Sequence, residues 1–225
     1  MKQLGLPVLL NAKMQLSNFI GDKNKQILTF IETLFLDNNS NVVMISGSKS
    51  TGKTHLLQAC TFAAMNKQLN AIYIDIKEEL PEGFIVNLSD IDWVCIDNID
   101  VADSVQQQQL FDLYNQIKQT QVKLIVSAKN LPNQLNLLKD LKTRLSLAMN
   151  FTLEVLSDEQ KTVILQGKVT DKNIRIDTKI YTYLFKHYSR DLSDLMSAIN
   201  RLDEISLQKK TKITIPLVKE VLDLN

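Results

Sequence analysis

Between positions 42 and 155 the chain alternates short apolar runs with amphipathic stretches. Residues 42–46, 71–76, 93–97, 122–128 and 149–155 are mostly apolar and too short for helices, so they are predicted to be strands. Runs without a polar alternate face suit a sheet buried on both sides. The clearest helix spans 104–120, with Leu110, Phe111, Leu113, Tyr114 and Ile117 inward. A second helical spacing, Leu56, Leu57, Cys60, Ala63 and Ala64, follows the first run. Strand–helix alternation of this kind predicts an α/β fold, a parallel sheet of five strands covered on both faces by helices. After about Leu156 the strand signal stops. Ser157-Asp158-Glu159-Gln160 reads as a capping-box start. Helical patterns then run through 178–188 and 191–208, and Thr214 ahead of Pro216 opens a last helix. The expected organisation is an α/β base followed by a small all-helical domain, with a cleft between them.

Composition changes this picture little. The chain has 225 residues, 44% hydrophobic and 23% charged, as in ordinary soluble globular proteins. A net charge of +1 lacks the electrostatic footprint of a dedicated nucleic-acid binder, although local basic patches stay open. No apolar stretch reaches bilayer-spanning length, so no membrane association is expected. The apolar tract in residues 1–10 is broken by Gly5 and Pro7, and no small-residue cleavage site follows, which argues against a secretory signal. Cys60 and Cys95 fall at core positions and read as packing residues rather than a disulfide or metal pair. The expected compartment is the cytoplasm.

Chemistry concentrates in Gly47-Ser48-Lys49-Ser50-Thr51-Gly52-Lys53-Thr54, which fits G-x-x-x-x-G-K-[ST] between a strand and a helix. The two glycines let the backbone curl so that its N–H groups face phosphate oxygens. Lys53 is placed to reach the β- and γ-phosphates and Thr54 to offer a hydroxyl to Mg²⁺. The following helix turns its positive N-terminal end to the same phosphates. Val94-Cys95-Ile96-Asp97 is an apolar strand ending in an acid, a Walker B pattern in which Asp97 joins the Mg²⁺ shell opposite Thr54. Asn98 then stands where such ATPases usually carry an acid. An amide cannot take a proton, and a general base is worth roughly 10²–10⁴-fold, so weak turnover is expected. Ser127, at the end of 122–128, reads either as a sensor beside the γ-phosphate or as a strand-end hydroxyl making a turn. Arg144 reads either as a surface ion-pair residue or as an arginine offered to a neighbour's nucleotide.

The run Gly52-Lys53-Thr54-His55-Leu56-Leu57-Gln58-Ala59 resembles the AAA+ domain of the bacterial replication initiator DnaA. Cys95-Ile96-Asp97-Asn98-Ile99, Phe111-Asp112-Leu113-Tyr114-Asn115, Leu135-Asn136-Leu137 and the tail from Thr214 to Leu222 are similar to the Hda branch, the regulatory inactivators of DnaA. The chain ends where DnaA would continue into its DNA-binding domain. The resemblance implies an AAA+ P-loop NTPase with three parts: a clamp-binding segment 1–15, a nucleotide-binding base 16–155 and a helical lid 156–225. It implies ADP or ATP with Mg as cofactors, held by the 47–54 loop, His55 and Asp97, with Phe19 and Ile20 over the adenine. A hydrophobic anchor for the following helix is the other reading of Phe19-Ile20-Gly21.

Gln3-Leu4-Gly5-Leu6-Pro7 is similar to the family's sliding-clamp peptide, an extended segment ending at Pro7 with Gln3 held by polar contacts and Leu4 and Leu6 filling an apolar pocket; packing of this Leu/Pro-rich start on its own domain is the other reading. In the family the inactivator, on a DNA-loaded DNA polymerase III clamp, stimulates hydrolysis of DnaA-bound ATP, and the arginine matching Arg144 acts as the finger in trans. The implied partners are therefore the clamp, DnaA, and DNA through the clamp. Homo-oligomerisation is compatible with the sequence. One departure concerns the lid: the family pattern places a phosphate-touching arginine at Ser193, which serine cannot replace, and Arg190 is either a substitute or a surface ion-pair residue. Two other readings compete. One is an autonomous ATPase such as a DnaC-like helicase loader, for which only about forty residues precede the first strand. The other is a nucleotide-independent scaffold, disfavoured by the complete loop.

Overall fold

The computed structural model describes residues 10–21, 24–37, 41–78, 90–171, 174 and 176–224. It divides into two compact units, Met1–Glu154 and Val155–Asn225. The first holds a five-stranded sheet of β1 (Asn41–Ser46), β2 (Ala71–Asp75), β3 (Trp93–Asp97), β4 (Lys123–Ala128) and β5 (Met149–Thr152). The strand order is β2-β3-β4-β1-β5 and every pairing is parallel. Helices α1 (Lys25–Leu34), α2 (Lys53–Asn66), α3 (Ser104–Ile117) and α4 (Lys139–Ser146) complete the unit.

Successive strand side chains point to opposite faces, and the apolar runs divide accordingly. Val43, Ile45, Tyr73, Trp93, Cys95 and Ile125 join Ile27 and Ile31 of α1 and Leu56, Leu57 and Cys60 of α2 in one buried cluster. Their neighbours Met44, Ile74, Val94, Ile96, Leu124 and Val126 join α3 and α4 residues such as Leu113, Ile117, Leu141 and Leu145 in another. Two apolar faces on β1 to β4 therefore require helices on both sides of the sheet, while β5 at the edge is largely exposed.

Strand ends depart from the apolar runs where hydrogen bonding changes. The run 71–76 stops as a strand at Asp75, whose carboxylate accepts from the Lys77 N–H at 3.1 Å and turns the chain. The last run stops at Thr152, although Leu153 N–H still donates to the Ser46 carbonyl at 2.7 Å. Helix α3 closes at Ile117 rather than 120, and at its start Asp103 and Gln106 form a reciprocal capping box.

The second unit consists, among the described residues, of α5 (Asp158–Asp171), α6 (Thr178–His187), α7 (Leu192–Lys209) and α8 (Ile215–Val221) around Leu165, Leu184, Leu195, Leu202 and Val218. The Ser157–Gln160 capping box forms, with bonds of 3.0 and 3.2 Å, and Asp177, Asp191 and Thr214 cap the next three helices.

Candidate functional site

A parallel sheet collects the carboxyl ends of its strands on one side, where ligands of open α/β folds bind. Ser46, Asp75, Asp97 and Ser127 all lie at or next to such ends. The 47–52 turn leaves β1 there and opens α2. Two of its backbone positions, Ser50 at φ 61° and Gly52 at φ 99°, are left-handed. A side chain at Gly52 would also meet Phe19 Cε2 at 2.9 Å, and one at Gly47 would meet Thr51 Oγ1 at 2.6 Å. Glycine is thus required at both positions by close approach. Thr51, buried, braces the turn by donating to the Ser48 carbonyl at 3.0 Å, while Lys49 and Ser50 form the outer part of the turn.

Lys53 Nζ folds back over this turn, donating to the Gly47 carbonyl at 2.7 Å and the Ser48 carbonyl at 2.9 Å. Burial holds its pKa below the ordinary lysine range, with Asp97 and Asp100 opposing that shift. Thr54, one residue on, donates to Asp97 Oδ2 at 2.5 Å. Asp97 is fully buried. Its Oδ2 also accepts from the Tyr73 hydroxyl at 2.9 Å, and its Oδ1 accepts from the Asn98 N–H at 3.0 Å and from Ser127 Oγ. The Thr54–Asp97 pair offers two hard oxygens beside the 47–52 turn. That set fits Mg²⁺, which keeps several waters and takes few protein ligands.

Asn98 is itself left-handed at φ 61°, a conformation asparagine tolerates. Its Nδ2 donates to Asp75 Oδ1 at 2.9 Å, so the amide is anchored to the neighbouring strand. Ser127 is buried between Asp97, to which it donates, and the Asn98 N–H, from which it accepts at 3.2 Å. Phe19 lies over the turn–helix junction, edge-on to His55 with centroids 5.4 Å apart, and His55 Nε2 lies 3.1 Å from the Gln15 carbonyl. Ile20 beside it is half-buried.

Arg144 belongs to the same unit as this cluster, and Arg190 and Ser193 to the second unit. Arg144 occupies the last turn of α4, half-buried, and its charge bears on Tyr114 of α3. Among the described residues it has no hydrogen bond or ion pair to the 47–54 turn or to Asp97. Arg190 lies 3.8 Å from Asp158 and is largely exposed, and Ser193 N–H donates to the Asp191 cap at 2.9 Å. Gln3, Leu4, Leu6 and Pro7 lie outside the described residues.

Residues 158–222 match the family described as the lid domain of Hda, and residues 10–154 match the bacterial DnaA ATPase domain. The second match alone covers more than half of the chain. The chain belongs to the DnaA-like AAA+ family, with a lid of the Hda type. An uncharacterized Haemophilus influenzae protein is 32% identical over 229 residues, 99% of either chain. Domain III of Thermotoga maritima DnaA superposes with a TM-score of 0.82 at 18% identity, covering 96% of this chain and 98% of that one. AMPPCP-bound DnaA from Aquifex aeolicus superposes with a TM-score of 0.71 at 22% identity, covering 90% and 71%. At such identities the structural likeness shows the fold. Among the described residues, no helix is long and apolar enough to cross a membrane.

In this DnaA-like base, four residues that the motifs do not mention belong to the cluster. Tyr73 and Asp75 are the inward and end positions of a strand whose apolar run conceals them. Gln58 carried one signal, a lone amide among the apolar residues of α2, and it is buried. Asp100 accepts from the Lys129 N–H at 3.0 Å, joining the ends of β3 and β4.

Proposed function

We propose that the chain holds a nucleotide diphosphate or triphosphate with Mg²⁺ at the 47–54 turn and acts as a regulator of DnaA rather than as an ATPase in its own right. The observation that carries this reading is the pairing of a complete phosphate loop with an amide at position 98, fixed to Asp75. The loop supplies the groups that bind phosphates, Lys53 among them. Bound Mg²⁺ would neutralise phosphate charge, and Thr54 with Asp97 would hold it. Beside them Asn98 has no means of taking a proton from water, so hydrolysis is slow.

The regulatory part of the proposal rests on family membership and on two sequence features. Gln3, Leu4, Leu6 and Pro7 would dock in an apolar groove of the DNA-loaded DNA polymerase III sliding clamp as a peptide in a pocket. Arg144 would then reach the nucleotide of a neighbouring DnaA as an arginine finger, a contribution worth about 10³–10⁵-fold in phosphoryl transfer. Phe19 and Ile20 would cover the base, and Ser127 would report on the γ-phosphate through Asp97. A cytoplasmic location follows from these partners.

Capture on immobilised clamp tests the docking directly. The wild type is expected to be retained and a Gln3→Ala/Leu4→Ala/Leu6→Ala variant lost, with nucleotide affinity equal in both. Equal retention of both proteins would remove the clamp from the account and favour an autonomous ATPase of the helicase-loader kind.

A further inference from the structure

Residues 106–109 are four glutamines in a row, and the structure gives them different tasks. Gln106 completes the capping box with Asp103 and donates to the Ile76 carbonyl at 2.9 Å. Gln108 donates to Asp112, one turn along the same helix, at 3.0 Å. Gln107 reaches off α3 to the segment that enters α4. Its Oε1 accepts from the Leu138 N–H at 2.8 Å. Its Nε2 donates to the Ala102 carbonyl at 2.9 Å, with a longer contact to the Asn136 carbonyl at 3.5 Å. The Leu138 N–H can be met only by the amide oxygen, which fixes how the side chain is turned.

Leu138 is the residue at which α4 begins. Its carbonyl accepts the first helical bond, from the Lys142 N–H at 2.9 Å. Leucine has no acceptor for the free N–H groups of that turn, and no side chain caps it. A helix of eight residues is too short to hold its own ends in place, so its placement comes from its neighbours. Leu141 and Leu145, one turn apart on one face, join Leu110, Leu113 and Tyr114 of α3 in a buried cluster. That stripe fixes the face α4 turns to α3. Apolar contact is non-directional, and the position along that face is left to directional bonds. The Gln107–Leu138 bond supplies one at the start of α4, and Arg144 follows in its last turn.

We propose that Gln107 is a positioning residue for Arg144: its bond to the Leu138 N–H anchors the start of α4 and so fixes where the guanidinium stands. This rests on the reading above in which Arg144 acts on the nucleotide of a neighbouring DnaA. An arginine finger works by geometry, and a displacement of about 1 Å caused far from the chemistry can cost about 100-fold in rate. Loss of the anchor therefore shows in the rate that Arg144 confers on its neighbour, while the sheet and the 47–54 turn stay as they are.

The test compares Gln107→Met, which keeps the length of the side chain and removes both polar ends, with Gln107→Glu, which keeps the acceptor for Leu138. Each full chain is assayed on DnaA-bound ATP with DNA-loaded clamp, and hydrogen exchange at the Leu138 amide is read in the chain alone. Gln107→Met is expected to lower the maximal rate of hydrolysis about tenfold or more, with the half-saturating concentration, ADP affinity and clamp capture unchanged. Its Leu138 amide is expected to exchange about tenfold faster, while core amides such as Ile31 keep their protection. Gln107→Glu is expected to stay within about threefold of wild type in both readouts, because residue 107 is half-buried and water can serve the Ala102 carbonyl it leaves. Gln107→Ala should match the methionine variant, and it decides the matter if methionine unsettles the α3–α4 contact. With Arg144→Ala inactive as an activator, a wild-type rate in Gln107→Met would overturn the positioning role, and so would unchanged Leu138 exchange. Equal losses in the glutamate and methionine variants would overturn the assignment to the Leu138 bond. Full stimulation by Arg144→Ala would instead bring down the finger reading itself.

Discussion

Lys53 spends its ammonium on the Gly47 and Ser48 carbonyls, and those contacts mark where phosphate oxygens would compete for it. Replacing it with alanine removes charge-assisted bonds to phosphate, each worth about 1.5–3 kcal/mol. Lys53→Ala is accordingly expected to weaken ADP binding by about ten- to a hundredfold in a fluorescence titration. An unchanged affinity would place the nucleotide elsewhere. The two thiols give a second prediction. Burial pushes Cys60 well above its ordinary 9.0 and Cys95 up to about 12. Groups raised in the fold contribute stability that is complete below pH 9.0 and is lost as pH climbs toward the folded value. Each costs about 1.4 kcal/mol per pH unit inside that window. Lys53 and Lys123, lowered by burial, work in the opposite sense as pH rises toward 10.5. The clean readout is therefore a difference: Cys95→Ala should lose unfolding free energy more slowly than wild type between about pH 9 and about pH 11 in denaturant melts. Parallel pH profiles would contradict this.

At the scale of elements, the turn from β1 into α2 is the most constrained. Gly52 combines φ 99° with a Phe19 ring where a side chain would stand. Gly52→Ala is expected to cost about 1–3 kcal/mol of stability and to dislodge Phe19 from His55. A melt shift near zero, with the ring pair retained by NMR, would show that the turn relaxes freely. These elements were legible in the sequence to different degrees. Four of the strands were readable because a sheet buried on both faces leaves near-continuous apolar runs such as Val94-Cys95-Ile96, and the largely exposed β5 because apolar and polar residues alternate along 149–155. Strand order was not, since nothing local to β1 says that its neighbours are β4 and β5. That Thr54 and Asp97 come together was expected from the two motif patterns, and the structure joins them by a hydrogen bond. The Asn98–Asp75 bond was not expected, because it joins residues distant in sequence that only the register Asp75↔Asp97 brings together.

For the whole molecule, the proposed function needs a base that would retain nucleotide, a peptide at residues 3–7 that would meet the clamp and Arg144 acting on a neighbour. Arg144 carries the sharpest consequence. As a surface residue it would be worth about 0–1 kcal/mol and nothing else would change on its removal. As a finger it would be dispensable for the chain's own nucleotide and for the clamp, yet required by DnaA. Lysine would substitute poorly, because the planar guanidinium matches phosphate oxygens with a geometry that an ammonium lacks. The deciding measurement is hydrolysis of DnaA-bound ATP in the presence of DNA-loaded clamp, with wild type, Arg144→Ala and Arg144→Lys added in turn. The account predicts strong acceleration by wild type and little by either variant, with clamp capture intact in all three. Full acceleration by Arg144→Ala would end the finger assignment, and no acceleration by wild type would contradict the regulatory function itself.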